Sequence, residues 1–171
     1  MRLLYNIIET DMGWVAIAGI DGALARLMLP CNSKSTAVQR LTDAAGFDLA
    51  FTRDDFSGEA GNLESYFAGS PAAFTCNLFA PDAGPFNLAV WNAAREIPYG
   101  GLSTYAALAD KIDNPRAARA VGGALGRNPV PVVVPCHRVL RSDGGLGGFS
   151  SGLHWKKMLL NLEKSLGGVR L

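Results

Sequence analysis

Apolar positions in the first thirty residues fall in three short runs, LLYNIIET, GWVAIAGI and ALARLML, separated by the turns TDMG and IDG. Runs of this length with Gly and Asp between them predict strands joined by hairpins, and so an antiparallel sheet. The period then changes. STAVQRLTDAAG predicts a helix opened by Ser35 as N-cap and ending near Gly46, and GEAGNLESYFAG predicts a second. AAFTCNLF predicts a returning strand with Phe74, Cys76 and Leu78 on one face. These elements give residues 1–80 as a small α/β domain.

APDAGP (80–85) is the candidate linker. Beyond it, FNLAVWNAAREI has helical apolar spacing through Leu88, Trp91, Ala94 and Ile97, stopped by Pro98-Tyr99-Gly100-Gly101. STYAALADKI predicts a helix starting at Ser103 or Thr104. DNP breaks it, with Asn114 as cap and Pro115 in the first turn of the next helix, RAARAVGGALGR. Two short helices joined by a tight turn are a helix-turn-helix signature. PVPVVVP is expected to be extended, because residues before proline are pushed from helical angles. RSDGGLGGFSSG is a glycine-rich loop, and LHWKKMLLNLEKSL an amphipathic closing helix.

Composition narrows the setting. Of 171 residues, 49% are apolar, which suits a folded core. No apolar run approaches a membrane span, and the first residues lack a signal-peptide pattern, so a cytoplasmic location without membrane contact is the expectation. Cys31, Cys76 and Cys136 form no C-x-x-C pair, which argues against a metal site; Cys31 and Cys76 read as core thiols. Residues 1–94 hold 5 Lys and Arg against 10 Asp and Glu, whereas residues 95–171 hold 11 against 5. The basic half suits a polyanion, although a lopsided solvated surface would give the same count.

The helix RAARAVGGALGR carries Gly122 and Gly123 in its interior, each costing roughly 1 kcal/mol relative to alanine. Ala117, Ala118, Ala120, Gly122 and Ala124 permit close approach of another backbone. That neighbour is either a second protein segment or DNA, since a minor groove about 6 Å wide admits only small side chains. Arg116, Arg119 and Arg127 flank these positions, suited to phosphates or to a gap in the base stack.

The stretch PCHRV places Cys136 beside His137, one of two histidines in the chain. A thiol becomes a strong nucleophile when a base removes its proton. On an extended strand the two side chains would point to opposite faces, so a water would have to relay the proton. A carboxylate that orients the histidine improves the base, and the basic half offers Glu96, Asp110, Asp113, Asp143 and Glu163. Glu163 on the closing helix is the attractive choice, but spacing does not select it.

With NP and a short apolar run before it, PCHRV resembles the active-site motif of the O6-alkylguanine-DNA alkyltransferases, also called methylated-DNA–protein-cysteine methyltransferases. The resemblance covers residues 84–171, through FNLAVWNAAREIPYGGLSTYAALA, NPRAARAVGGALGRNPVPVVVPCHRV, GGLGGFSSGL and KKMLLNLE; residues 1–80 resemble the family weakly. It implies an α/β N-terminal domain with a small antiparallel sheet, followed by a mainly α C-terminal domain of winged helix-turn-helix type. It further implies a DNA repair protein acting once. The alkyl group of O6-methylguanine in duplex DNA passes irreversibly to Cys136 after base flipping, with no cofactor and with the protein a monomer.

By the same resemblance His137 is the base, acting through a water, and Glu163 orients it. Asn128 ties the recognition helix to the active-site segment, and Tyr105 assists rotation of the nucleotide and departure of guanine. Arg119 enters the stack in place of the flipped base. Asn114, Ala118, Ala120, Gly122 and Ser142 meet DNA. The carbonyl of Val139 accepts from the guanine amine, Ser150 donates to O6, and Pro131 and Phe149 wall the alkyl pocket. Two other classes compete. A lesion-sensing DNA-binding protein would bind with its thiol unmodified, and a cysteine hydrolase would turn over small esters without needing the basic helix-turn-helix.

Overall fold

A computed structural model of the protein describes residues 2–45, 48–52 and 56–169. The chain divides into two compact units, Met1–Pro81 and Asp82–Leu171.

In the first unit, β1 (Arg2–Thr10), β2 (Gly13–Ile20) and β3 (Ala23–Cys31) form the expected antiparallel meander. A fourth strand, β4 (Asp48–Phe51), joins the β1 edge in parallel, so the order is β3-β2-β1-β4 and the sheet is mixed. The central strand β2 buries Val15, Ala16, Ile17 and Ala18 in succession, which requires cover on both faces. Helix α1 (Lys34–Ala45) supplies Ala37 and Leu41 to the cluster around Leu3, Ala16, Ala18 and Ala25. Helix α2 (Ser57–Phe67) packs against β1 and buries Leu63, Tyr66 and Phe67.

Two expectations for this unit are corrected, and a third is not tested. Ser33, not Ser35, caps α1: its Oγ accepts the Thr36 N–H at 3.1 Å. The helix end expected at Gly46 lies outside the described residues. The segment 72–79 is no strand. It makes a single parallel bridge, Leu24 to Leu78, with Leu24 N–H donating to Asn77 O and Phe79 N–H to Leu24 O. Cys76 and Cys31 are nonetheless buried, as core thiols should be.

In the second unit, α3 (Pro85–Arg95) opens with proline at its first position and buries Val90, Trp91, Ala93 and Ala94. Thr104 caps α4 (Tyr105–Lys111), its hydroxyl accepting from Ala107 N–H at 3.1 Å. A turn over 112–117 leads into α5 (Ala118–Gly126), so α4 and α5 form the helix-turn-helix. The start of α5 differs from expectation. Ala117 is its N-cap, and Asn114 and Pro115 sit in the preceding turn, where Asn114 O accepts from Ala117 N–H. Trp91 Nε1 donates to Ala124 O at 2.9 Å and locks α5 onto α3. Two short parallel strands, β5 (Ser103–Thr104) and β6 (Val139–Leu140), bracket this core. Helix α6 (Leu153–Leu162) closes it, burying Leu159 and Leu160.

The apolar run before PCHRV is not extended throughout. Pro131 and Val134 bridge across a tight turn in which Val132 has φ 75°, a left-handed conformation unusual for a β-branched residue. Cys136–Arg138 then form one turn of 3₁₀ helix rather than a strand. Strand alternation therefore does not govern how Cys136 and His137 point.

Candidate active site

The turn after α5 fixes the nucleophile. Asn128 at the end of α5 donates through Nδ2 to Val134 O at 2.9 Å and to Cys136 Sγ at 3.1 Å, while its Oδ1 accepts Val130 N–H at 3.0 Å. One buried amide thus clamps both ends of the strained turn and touches the sulfur. Cys136 is 7% exposed and lines a cleft of about 520 Å³. Burial raises the thiol pKa, and the Asn128 donor and the Lys156 charge pull it back.

Behind the thiol, His137 Nε2 lies 2.7 Å from Glu163 Oε1, both side chains fully buried. Arg138 brackets the same carboxylate, Nε to Oε2 and Nη2 to Oε1, each at 2.9 Å, and its Nη1 donates to Ile97 O at 2.6 Å. Gly100 N–H also donates to Oε2 at 3.1 Å. Burial lowers the pKa of His137, with Glu163 opposing, so the ring is neutral near pH 7 and able to take a proton. With Nε2 committed to Glu163, Nδ1 is the nitrogen suited to proton exchange with the thiol.

The cleft itself joins α4, α5 and the glycine-rich loop. Tyr105, Ala118, Arg119, Gly122, Ser142 and Phe149 line it together with Cys136. Arg119 and Ser142 are exposed at its mouth. Tyr105 is half-buried, and desolvation raises the pKa of its phenol, so it is a hydroxyl donor at neutral pH. The remaining expected residues stand outside this lining. Ala120 is exposed on α5 and Asn114 in the turn before it. Ser150 is exposed, Pro131 is buried in the turn, and Val139 is buried with its carbonyl accepting from Lys156 Nζ. Among the described residues no group of His, Cys, Asp and Glu is arranged to hold a metal.

Sequence reasoning missed two contributors: Arg138 and Lys156. Lys156 is fully buried, and its Nζ donates to the carbonyls of Val139, Leu146 and Gly148. The signal was present. Lys156, Leu159, Leu160 and Glu163 recur at the spacing of the buried stripe of α6, where a lysine is out of place.

A reactive cysteine clamped below a helix-turn-helix, with a buried His–Glu pair behind it, defines a DNA-binding protein built for covalent chemistry at one thiol. The comparisons agree. Residues 85–165 match the family model described as 6-O-methylguanine DNA methyltransferase, DNA binding domain. The chain is 40% identical to the methylated-DNA–protein-cysteine methyltransferase of Methanosarcina acetivorans, over 95% of this chain and 99% of that one. It is 37% identical to the protein of that name from Mycobacterium bovis, over 94% and 92%. The crystal structure of Mycobacterium tuberculosis OGT in complex with DNA superposes with a TM-score of 0.76 at 36% identity, covering 95% of this chain and 93% of that one. The chain belongs to the methylated-DNA–protein-cysteine methyltransferase family. The alignment with the Methanosarcina acetivorans protein covers 95% of the chain and so includes the first unit.

Proposed function

We propose that the protein repairs DNA by moving the alkyl group of O6-methylguanine, flipped out of the duplex, onto Cys136 in a single irreversible turnover. The observation that carries this reading is the Asn128–Cys136 contact at the floor of a cleft whose rim is Arg119 and Gly122 of α5. The target carbon is out of reach inside a stacked duplex, so the base must leave the stack. A small-faced α5 suits the minor groove, and Arg119, exposed on the cleft lining, fills the gap in this reading. Residues 84–171 are the DNA-binding and transfer domain in this reading, and 1–80 an accessory α/β domain.

The chemistry follows from the residues. His137, held by Glu163, takes the thiol proton, through a water where the two do not touch. The thiolate attacks the alkyl carbon, an S–C bond forms and the C–O6 bond breaks, leaving its electron pair on guanine. Tyr105 O–H supplies the proton that neutralises the leaving base, and the proton held by His137 restores the phenol. The net change is thiol plus O6-alkylguanine to thioether plus guanine, with no cofactor consumed. Asn114, Ala118, Ala120 and Ser142 contact the DNA. Val139, Ser150, Pro131 and Phe149 shape the base and alkyl pockets. The protein acts as a cytoplasmic monomer on double-stranded DNA. Among the described residues no helix is long and apolar enough to cross a membrane.

Intact-protein mass, before and after incubation with a duplex carrying one O6-methylguanine, tests the reading. One added methyl per protein, mapped to Cys136 and lost in Cys136→Ala, is the expected result. Unchanged mass with the duplex still bound would leave a lesion-sensing protein without transfer.

A further inference from the structure

Arg119 and Arg141 both line the cleft over Cys136, and the reading above uses only Arg119. Arg119 comes from α5, whereas Arg141 comes from the turn that follows β6, beside Ser142. The Arg141 side chain is 62% exposed, yet its direction is fixed. Its backbone N–H donates to Gly145 O at 2.8 Å, and Gly144 N–H donates to Arg141 O at 3.0 Å, which closes the turn. Asp143 holds the turn and the guanidinium with separate oxygens. Oδ1 accepts Gly145 N–H at 3.0 Å, and Oδ2 lies 2.9 Å from Arg141 Nη2. The arginine stem runs over Gly145, where a Cβ would stand 3.4 Å from Arg141 Cδ.

This ion pair is easily exchanged. An exposed pair gains little in water and is screened by salt. A guanidinium carries five N–H donors in a planar fork, and Asp143 meets one end of it through one oxygen. The fork matches two oxygens of a phosphate better than it matches a single carboxylate oxygen. The flipped nucleotide supplies such a phosphate. It stays covalently joined to its neighbours, so its flanking phosphates must lie at the cleft mouth, where an exposed lining arginine meets them. Asp143, 53% exposed, stays hydrated when the arginine leaves it.

We propose that Arg141 clamps a phosphate flanking the flipped nucleotide, held ready by Asp143 and released from it when DNA docks. The inference rests on the base-flipping reading proposed above. Arg141 adds affinity for the duplex. Asp143 subtracts from it, because its carboxylate competes for the guanidinium and repels the phosphate. The two members of one ion pair therefore act on DNA in opposite directions. A pair that only fastened the turn would have them act in the same direction.

The test is equilibrium binding of a labelled duplex carrying one O6-methylguanine, followed by fluorescence anisotropy from about 50 to about 200 mM NaCl. The full chain with Cys136→Ala is the parent, so that no lesion is consumed. Adding Arg141→Ala should weaken binding about threefold to tenfold at the lower salt. It should also reduce the slope of log K against log salt by about 0.9, the share of one phosphate contact. Arg141→Lys keeps the charge and should keep the slope. Asp143→Asn, whose amide oxygen can still accept Gly145 N–H, should tighten binding about threefold. Glu96→Gln takes the same charge from the exposed Lys111 pair outside the cleft lining and should leave affinity unchanged. Arg141 and Asp143 are both exposed, so these substitutions leave the core intact. A parent-like slope in Arg141→Ala would overturn the proposal. So would binding by Asp143→Asn no tighter than the parent, or equal tightening by Asp143→Asn and Glu96→Gln. Methyl transfer is read separately on the wild type by mass. Its absence would sink the proposed function, while the slopes would still decide the role of Arg141.

Discussion

Glu163 Oε1 lies 2.7 Å from His137 Nε2 while Arg138 holds both oxygens of the same carboxylate, so one buried anion orients the base and neutralises a cation. Glu163→Gln removes the negative charge that faces both His137 and Arg138. Arg138 is then buried without its counter-charge, a loss of about 3–5 kcal/mol of stability. Transfer should fall by about 10²-fold or more, the usual contribution of a positioned base. Chemical denaturation and single-turnover transfer measured on the same preparation separate the two effects.

The same pair makes stability depend on pH with a definite sign. Burial holds the His137 pKa below its ordinary 6.5. In the unfolded chain the ring titrates near 6.5, so below that value the unfolded state binds the extra proton first. The contribution is full above about 6.5 and is lost as pH falls through the folded value. Calorimetry from pH 7.5 to 5 should show the melting temperature of the wild type falling on acidification, and His137→Gln should flatten that slope. Equal slopes would mean that His137 is not held neutral.

How much of this could be read from the chain depends on which interactions decide each element. The β1–β3 meander was legible because turn residues and apolar runs agree locally. Strand β4 escaped because four residues pairing in parallel carry no local signal, and 72–79 misled because alternation alone does not guarantee a partner along its length. Ser33 won the α1 cap through one hydrogen bond that composition does not distinguish from Ser35. At the site, Cys136, His137, Glu163 and Asn128 came through a motif, but their contacts depend on the Val132 turn and the 3₁₀ turn that follows it. Lys156 was hidden because lysine is by default a surface residue, and only its three carbonyl partners explain its burial.

Asn128 joins stability to reactivity. Asn128→Ala leaves Val130 N–H buried without its side-chain acceptor, at a cost of about 1–3 kcal/mol, and takes one donor from Val134 C=O, which keeps the Cys136 N–H. It also removes the donor that holds the Cys136 thiol pKa down. A lower urea midpoint is expected, together with slower alkylation of Cys136 by iodoacetamide at pH 7.5, followed by mass. Asn128→Asp keeps Oδ1 for Val130 N–H but sets a negative charge beside the sulfur. It should therefore recover part of the stability while alkylating more slowly than Asn128→Ala.

Two adjacent glycines separate conformational need from mere smallness. Gly147 has φ 69°, and a Cβ there would stand 2.5 Å from the Tyr105 hydroxyl and 2.8 Å from its ring. Gly148 has an ordinary φ, and a Cβ there meets nothing within 4 Å. Gly147→Ala must therefore adopt an unfavoured backbone and displace Tyr105, at a cost of about 1–3 kcal/mol. Its transfer rate should fall with its stability, because the displaced phenol is the proposed proton donor to guanine. Gly148→Ala should change stability by less than about 0.5 kcal/mol. It narrows the cleft by one methyl, so any effect on transfer should be larger for a benzyl than for a methyl lesion. Single-turnover rates on duplexes carrying O6-methylguanine and O6-benzylguanine, with thermal melts of both variants, decide the matter. If Gly147→Ala keeps wild-type rates on both lesions, Tyr105 does not supply the proton from the position it holds against this loop.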